Sequence, residues 1–263
     1  PDVTQTIQGW VYERDGYELP QAQVYLVGND GTNEKLSVSG NGAFTKVVKP
    51  GVDYLLLATC DGFLNHQEAL HIDTIDSTKV YTLQFPLASI QAPVLIENIF
   101  YAFDKATLLP ESTTALDQLV ALLNENPHVT IELSAHCDDR GSAAYNQRLS
   151  QQRAENVVHY LVAHGIQADR LTAVGYGKSK PKIVPPKLTE RYPWLKAGDV
   201  LSETFIASLD NAQQAVCNQL NRRTEFRVLR TTYSLFDAQG KSKESATKPI
   251  KKLTNTNTTE STF

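Results

Sequence analysis

The sequence predicts a two-domain chain of α+β or α/β class: an N-terminal all-β sandwich, then a βαβαβ sandwich with helices on one sheet. Three observations predict it. Residues 1–90 are short runs rich in Val, Tyr and Leu, separated by turn residues at intervals of roughly 8–12 positions. Residues 91–235 alternate strand-like and helix-like periodicity, the pattern of helices layered on a sheet. Between them, "PLASIQAPV" breaks the pattern with Pro86 and Pro93 and reads as a linker. Residues 236–263 are rich in Lys, Thr, Ser and Asn and nearly free of apolar side chains. A disordered tail is expected there, because such a stretch buries too little to order itself.

In the first domain the expected strands are "TIQGWVYE", "AQVYLVG", "KLSVSG", "AFTKVV", "DYLLLATC" and "KVYTLQFPL". The turns carry Asp15-Gly16, Asn29-Asp30-Gly31, Gly40-Asn41-Gly42, Pro50-Gly51 and Asp61-Gly62. These residue types tolerate positive φ or preset it. In the second domain "VLIENIFYAF" reads as a strand and "ESTTALDQLVALLNEN" as a helix. The helix has apolar positions 115, 116, 119, 120, 122 and 123, with Ser112 or Glu111 as its cap and Pro127 at its end. "HVTIELSAH" alternates as a strand, and "SAAYNQRLSQQRAENVVHYLVAHG" is a long helix stopped at Gly165. "RLTAVGYG" and "NRRTEFRVLRTTY" are the last strands. Between Lys178 and Asn221, Pro181, Pro185, Pro186 and Pro193 mark an irregular insertion with a short helix around 202–220.

Composition excludes several functions. Residues 1–90 carry 5 Lys/Arg against 11 Asp/Glu, and residues 91–235 carry 15 against 15. Neither half has the basic surplus of a nucleic-acid binder, so no nucleic-acid partner is expected. No apolar run reaches the ~18 residues of a membrane span. The chain opens at Pro1 and contains no Met, so a processed form or fragment is expected, with any export signal or lipid anchor upstream. Cys60, Cys137 and Cys217 form no C-x-x-C pair and read as free thiols. No G-x-S-x-G, phosphate-loop or H-E-x-x-H motif is present, and no enzyme activity or cofactor is expected. The consecutive His136, Cys137 and Asp138 alternate sides of a strand, which argues against a metal site.

One residue of the long helix breaks its pattern. At about 100° per residue, Leu149, Arg153 and Val157 fall within about 80° of arc, with Asn146 among them. Arg153 therefore lies inward or along a rim, where an unpaired guanidinium is costly. Asp138 and Asp139, at the end of the preceding strand, are the candidate partners. Two arrangements satisfy the spacing. Asp138 and Arg153 pair with each other, or both face a ligand that carries an ammonium and a carboxylate. Asp takes the former and Arg grips the latter as a bidentate fork.

Two stretches resemble known families. Gly9, Pro20-x-Ala22-x-Val24, Gly40-Asn41-Gly42-x-Phe44, Pro50-Gly51-x-x-Tyr54 and Gly62-Phe63 occur in an order that resembles the carboxypeptidase regulatory-like domain. That implies a fold, and a spacer or protein-contact role, more than a chemistry. The stretch from Ala135 to Pro181, with "FDKATL" at 103–108 and "NRRTEF" at 221–226, closely resembles the OmpA C-terminal-like peptidoglycan-binding family. The resemblance implies that Asp138 and Arg153 clamp the free end of meso-diaminopimelate in a cell-wall stem peptide. It also implies a wider pocket with Phe103, Asp104, Cys137, Asn146, Asn221 and Arg222, and a structural ion pair for Arg223. Ala135 and Cys137 depart from the residues usual in that family. The tandem resembles PorE-type lipoproteins of the type IX secretion system. This implies a periplasmic, outer-membrane-associated tether that meets the membrane only through an anchor absent from this chain. Envelope protein partners would be met through the first domain. The rival expectation is a protein-interaction scaffold whose OmpA-like domain has lost its ligand.

Overall fold

The structure is a computed structural model and describes residues 4–235. The tail expected over 236–263 lies outside the described residues. The chain divides into two compact units, the first ending at Ala88 and the second spanning Ser89–Tyr233.

The first unit holds seven strands: β1 (Gln5–Glu13), β2 (Gln23–Gly28), β3 (Asn33–Leu36), β4 (Ala43–Val48), β5 (Asp53–Thr59), β6 (His66–His71) and β7 (Val80–Leu87). They form a three-stranded sheet, β4-β1-β7, and a four-stranded sheet, β3-β2-β5-β6. Period-2 side chains bring Ile7, Val11, Val24, Leu26, Leu56 and Phe85 into one core shared by the two sheets. β6 was not expected. It pairs only with β5, and "HQEALH" has too few apolar residues to announce a strand. β3 begins before the expected "KLSVSG" and stops at Leu36, because Ser39 and Asn41 close a turn onto Ala43.

The second unit places β10 (Leu171–Gly177), β9 (Thr130–His136), β11 (Arg223–Arg230) and β8 (Val94–Leu95) in one sheet, in that order. β9 and β10 are parallel, joined by the crossover helix α2 (Ala143–Ala163); α1 (Thr113–Glu125) precedes β9. Gly141, at φ +85°, makes the turn into α2, and the Ser142 hydroxyl accepts the Tyr145 amide to cap it. Gly175 on β10 lets α2 lie directly on the sheet, since a Cβ there would collide with the Gln151 backbone.

Three expectations are corrected. The strand expected over "VLIENIFYAF" ends at Leu95, because Asn98 takes a left-handed conformation (φ 61°) and turns the chain away. Residues 101–108 then form a hairpin-like loop closed by Ala102 and Thr107. Ser112 does not cap α1 with its side chain; its hydroxyl instead bonds both backbone groups of Phe100 and pins that loop. The insertion is not irregular. It contains α3 (Leu188–Arg191), α4 (Glu203–Ala207) and α5 (Asn211–Asn221). It has its own small core of Val184, Leu195, Leu201, Ile206 and Cys217. β9 alternates as expected, yet both its faces are buried. Its polar face is tolerated because Glu132 meets Tyr176 (2.8 Å) and Arg227 (3.1 Å).

Candidate ligand-binding site

β9 delivers Cys137 and Asp138 to the end of the sheet, where the Cys137 amide continues the pairing to Gly177 O (2.8 Å). The long helix α2 starts beside them, and the 101–107 loop crosses its outer side. The three segments enclose a cleft of about 570 Å³.

Asp138 is only 6% exposed. Its Oδ1 accepts the Arg140 amide (3.1 Å). Its Oδ2 accepts Arg140 Nε (3.0 Å), Arg140 Nη2 (2.7 Å) and Arg222 Nη1 (2.5 Å). Burial alone would raise its pKa, but the Arg140 and Arg222 hydrogen bonds more than offset that and hold the carboxyl below its usual range. Both guanidiniums remain wet, with the Arg140 side chain 73% and the Arg222 side chain 40% exposed.

Arg153 does not pair with Asp138. It sits at the edge of the buried face of α2, which is made of Asn146, Ser150, Ala154, Val157 and Leu161. Its Nε donates to Lys105 O (3.0 Å), and its guanidinium carbon lies 4.8 Å from the Tyr101 ring centroid. Among the described residues no carboxylate pairs with it, and its two terminal nitrogens carry no hydrogen bond to protein. Tyr101 is itself fixed by Thr224 (3.0 Å), and burial pushes its hydroxyl up to about 12, so it stays neutral beneath the cation.

The other expected residues divide. Phe103 lines the cleft and is almost wholly exposed. Asp104, left-handed at φ 55°, lines it too and accepts the Tyr145 hydroxyl (2.5 Å). Asn146 is buried and its amide donates to Arg140 O (2.7 Å), which holds the turn that carries Asp138. Cys137 lines the cleft, and burial pushes its thiol up, keeping it neutral. Asn221 is the exception and is corrected: it does not line the cleft. Its side chain accepts the Lys182 amide (2.8 Å) and donates to Leu201 O (2.9 Å), so it fastens the insertion instead. The next residue, Arg222, caps α5 and reaches Asp138. None of residues 185–220 lines the cleft.

Sequence reasoning missed Arg140 and Tyr101, which supply Asp138's main partner and Arg153's seat. The "DDRG" turn was visible, but pairing of Arg140 back onto a side chain two residues earlier depends on the turn's geometry. Arg140, Arg153 and Arg222 outnumber Asp138 and Asp104, so the cleft favours a ligand with a carboxylate. Among the described residues no group of three His, Cys, Asp or Glu is placed to hold a metal ion. No described helix is long and apolar enough to cross a membrane.

Residues 100–191 match the sequence model of the OmpA family. That stretch holds Phe103, Asp104, Cys137, Asp138, Asn146 and Arg153, and stops before Asn221 and Arg222. Outer membrane protein A of Shimwellia blattae is 48% identical over 89 residues, which are 33% of this chain and 37% of that protein. Outer membrane protein A of Escherichia coli O157:H7 is 45% identical over 89 residues, 33% of this chain and 26% of that protein. The chain thus spans well under half the length of these relatives. The crystal structure of the peptidoglycan-associated lipoprotein from Burkholderia pseudomallei aligns at 24% identity and a TM-score of 0.35. That alignment covers 50% of this chain and 88% of that one. By the sequence match, residues 100–191 are an OmpA-like domain.

Proposed function

We propose that the second unit is a non-enzymatic tether that binds peptidoglycan through the diaminopimelate end of its stem peptides. The observation that carries this reading is the state of Arg153. A guanidinium is held by its Nε and by an aromatic ring, and its outer two nitrogens remain free beside a buried carboxylate it does not touch. A zwitterionic amino-acid head suits that pair. Its carboxylate meets the Arg153 fork, and its ammonium meets Asp138. The ammonium displaces Arg140, whose mostly exposed side chain returns to water at little cost. Each charge-assisted bond contributes roughly 1.5–3 kcal/mol net. The affinity is therefore moderate, and a polymer with many stems converts it into firm retention.

The reading extends to the whole chain. The protein sits in the periplasm, associated with the outer membrane, and holds an envelope complex of the type IX secretion kind to the cell wall. The first unit, read as a carboxypeptidase regulatory-like sandwich, contacts protein partners or spaces the binder. One observation favours the rival scaffold reading: Asp138 already has two arginine partners in the free protein.

The test is calorimetric titration with a diaminopimelate-containing stem peptide, beside co-sedimentation with purified sacculi. Asp138→Ala and Arg153→Ala each weaken peptide binding by ~2–5 kcal/mol, because each leaves a ligand charge unanswered. A folded wild-type chain that ignores both peptide and sacculi contradicts the tether and leaves the scaffold.

A further inference from the structure

The two sheets of the first unit differ on their outer faces. In the four-stranded sheet Lys35 stands opposite Tyr25, and His71 opposite Asp53, so that face carries charge. In β4-β1-β7 the register sets Thr45 and Thr82 on either side of Gln8, and Gln84 beside Trp10. Burial alternates along β1, and Gln8, Trp10 and Tyr12 are half-buried residues of its outward side. No outward position over 6–12, 43–47 or 80–86 is charged. Glu18, bridged to Tyr12, puts a charge at one margin. The exposed Val47 and Val80 flank Thr6 at the opposite end, away from the rings. Among the described residues, the side chains of Gln8, Trp10, Thr45 and Thr82 make no hydrogen bond to protein. The Gln84 Oε1 accepts the Tyr12 hydroxyl (3.2 Å), and its amide hydrogens stay available.

We propose that this face is a platform for a neutral polysaccharide strand, a function separate from the cleft of the second unit. Trp10 and Tyr12 are two residues apart on the central strand, so their side chains leave the same face about 7 Å apart. A sugar ring is apolar on its face and hydroxylated at its edge. The aromatic rings take the face, and the indole N–H, amides and threonine hydroxyls around them take the edge. A face without charge has no field to draw an ionic ligand. An open sheet face does not enclose a small molecule, whose site buries most of its surface, but a chain can lie along it. A protein partner needs an apolar centre. Here amides and hydroxyls surround the rings, and the valines stand apart. The ligand that meets all of these conditions is long, uncharged and rich in hydroxyls.

The experiment titrates the full chain with two neutral probes, chitohexaose and cellohexaose, by calorimetry and by indole fluorescence. The chain has two tryptophans, so Trp194→Phe leaves Trp10 as the one reporter, and calorimetry on wild type reads binding without that change. The expected result is saturable binding that shifts Trp10 emission. Gln8→Ala and Gln84→Ala, both surface changes, each weaken it by about three- to fivefold. Arg153→Ala binds the hexamers as wild type does. Binding of both hexamers supports a general glycan platform, and binding of chitohexaose alone supports one that reads the N-acetyl groups of a wall glycan. Failure of wild type to bind either hexamer overturns the proposal and leaves the face to a protein partner. Binding that leaves Trp10 emission unmoved and is indifferent to both glutamine changes, or that is lost in Arg153→Ala, overturns it as well, because the sugar then sits elsewhere.

Discussion

Two buried carboxylates of the second unit invite comparison. Asp138 and Glu225 are each 6% exposed, and each is met by two cationic side chains. The difference lies in the partners. Glu225 is held by Arg223 (2.6 Å), whose side chain is 7% exposed, and by Lys182 (3.4 Å), at 15%. His136 lies beside it, stacked on Tyr176. Arg140 and Arg222, by contrast, keep much of their surface in water. A carboxylate with buried partners is locked, because removing any member strands a charge in a dry place. A carboxylate with wet partners can exchange them. Similar burial and charge therefore make one cluster structural and leave the other open to a ligand.

The largest break in that comparison is at Glu225. Glu225→Ala leaves Arg223 and Lys182 buried without their acceptor and lowers stability by ~3–5 kcal/mol, read by denaturant unfolding. Next comes acid. Burial, helped by the Arg223 charge, pulls His136 down to about 4. Glu225 opposes that shift but is itself held below its usual range, because Arg223 and Lys182 outweigh its burial. An unfolded histidine titrates near 6.5, so the unfolded state takes up protons first as pH falls. Stability is full above about pH 6.5 and falls by about 3 kcal/mol on the way to pH 4. His136→Phe flattens that slope, read as melting temperature against pH. Asp138, also held low, acts in a separate window. Its stability is present above about pH 3.9 and is lost only as pH falls through its lower folded value. The smallest effect is at Arg140. Arg140→Ala changes stability by less than about 1 kcal/mol. The same change tightens binding of an ammonium-bearing ligand, since Arg222 is then the one cation left on Asp138 and Arg140 need not be displaced; titration reads the sign.

Much of this was legible in the sequence, and the misses have physical causes. Turn chemistry located most of the first unit's strands, and the periodicity of α2 with Gly165 located the crossover helix. The one edge strand missed, His66–His71, meets the core through Leu70 and the His66 ring, too few apolar residues to give an alternating pattern. Arg153's seat on the rim followed from helical spacing, but its partner did not. Spacing offers Asp138 and Asp139, either paired with Arg153 or facing a ligand beside it, and does not show that Arg140 reaches Asp138 from the adjoining turn. Asn221 was assigned to the cleft by resemblance. The folded insertion claims its amide, and no local pattern announced that the insertion had a core of its own.

The most direct measurement compares two stem peptides, one with the diaminopimelate carboxylate free and one with it amidated, on wild type and Arg153→Ala. If the free nitrogens of Arg153 receive that carboxylate, amidation weakens wild-type binding by about ten- to a hundredfold and costs Arg153→Ala nothing further. If amidation weakens both proteins equally, or neither, Arg153 does not read the ligand's carboxylate and the clamp is contradicted.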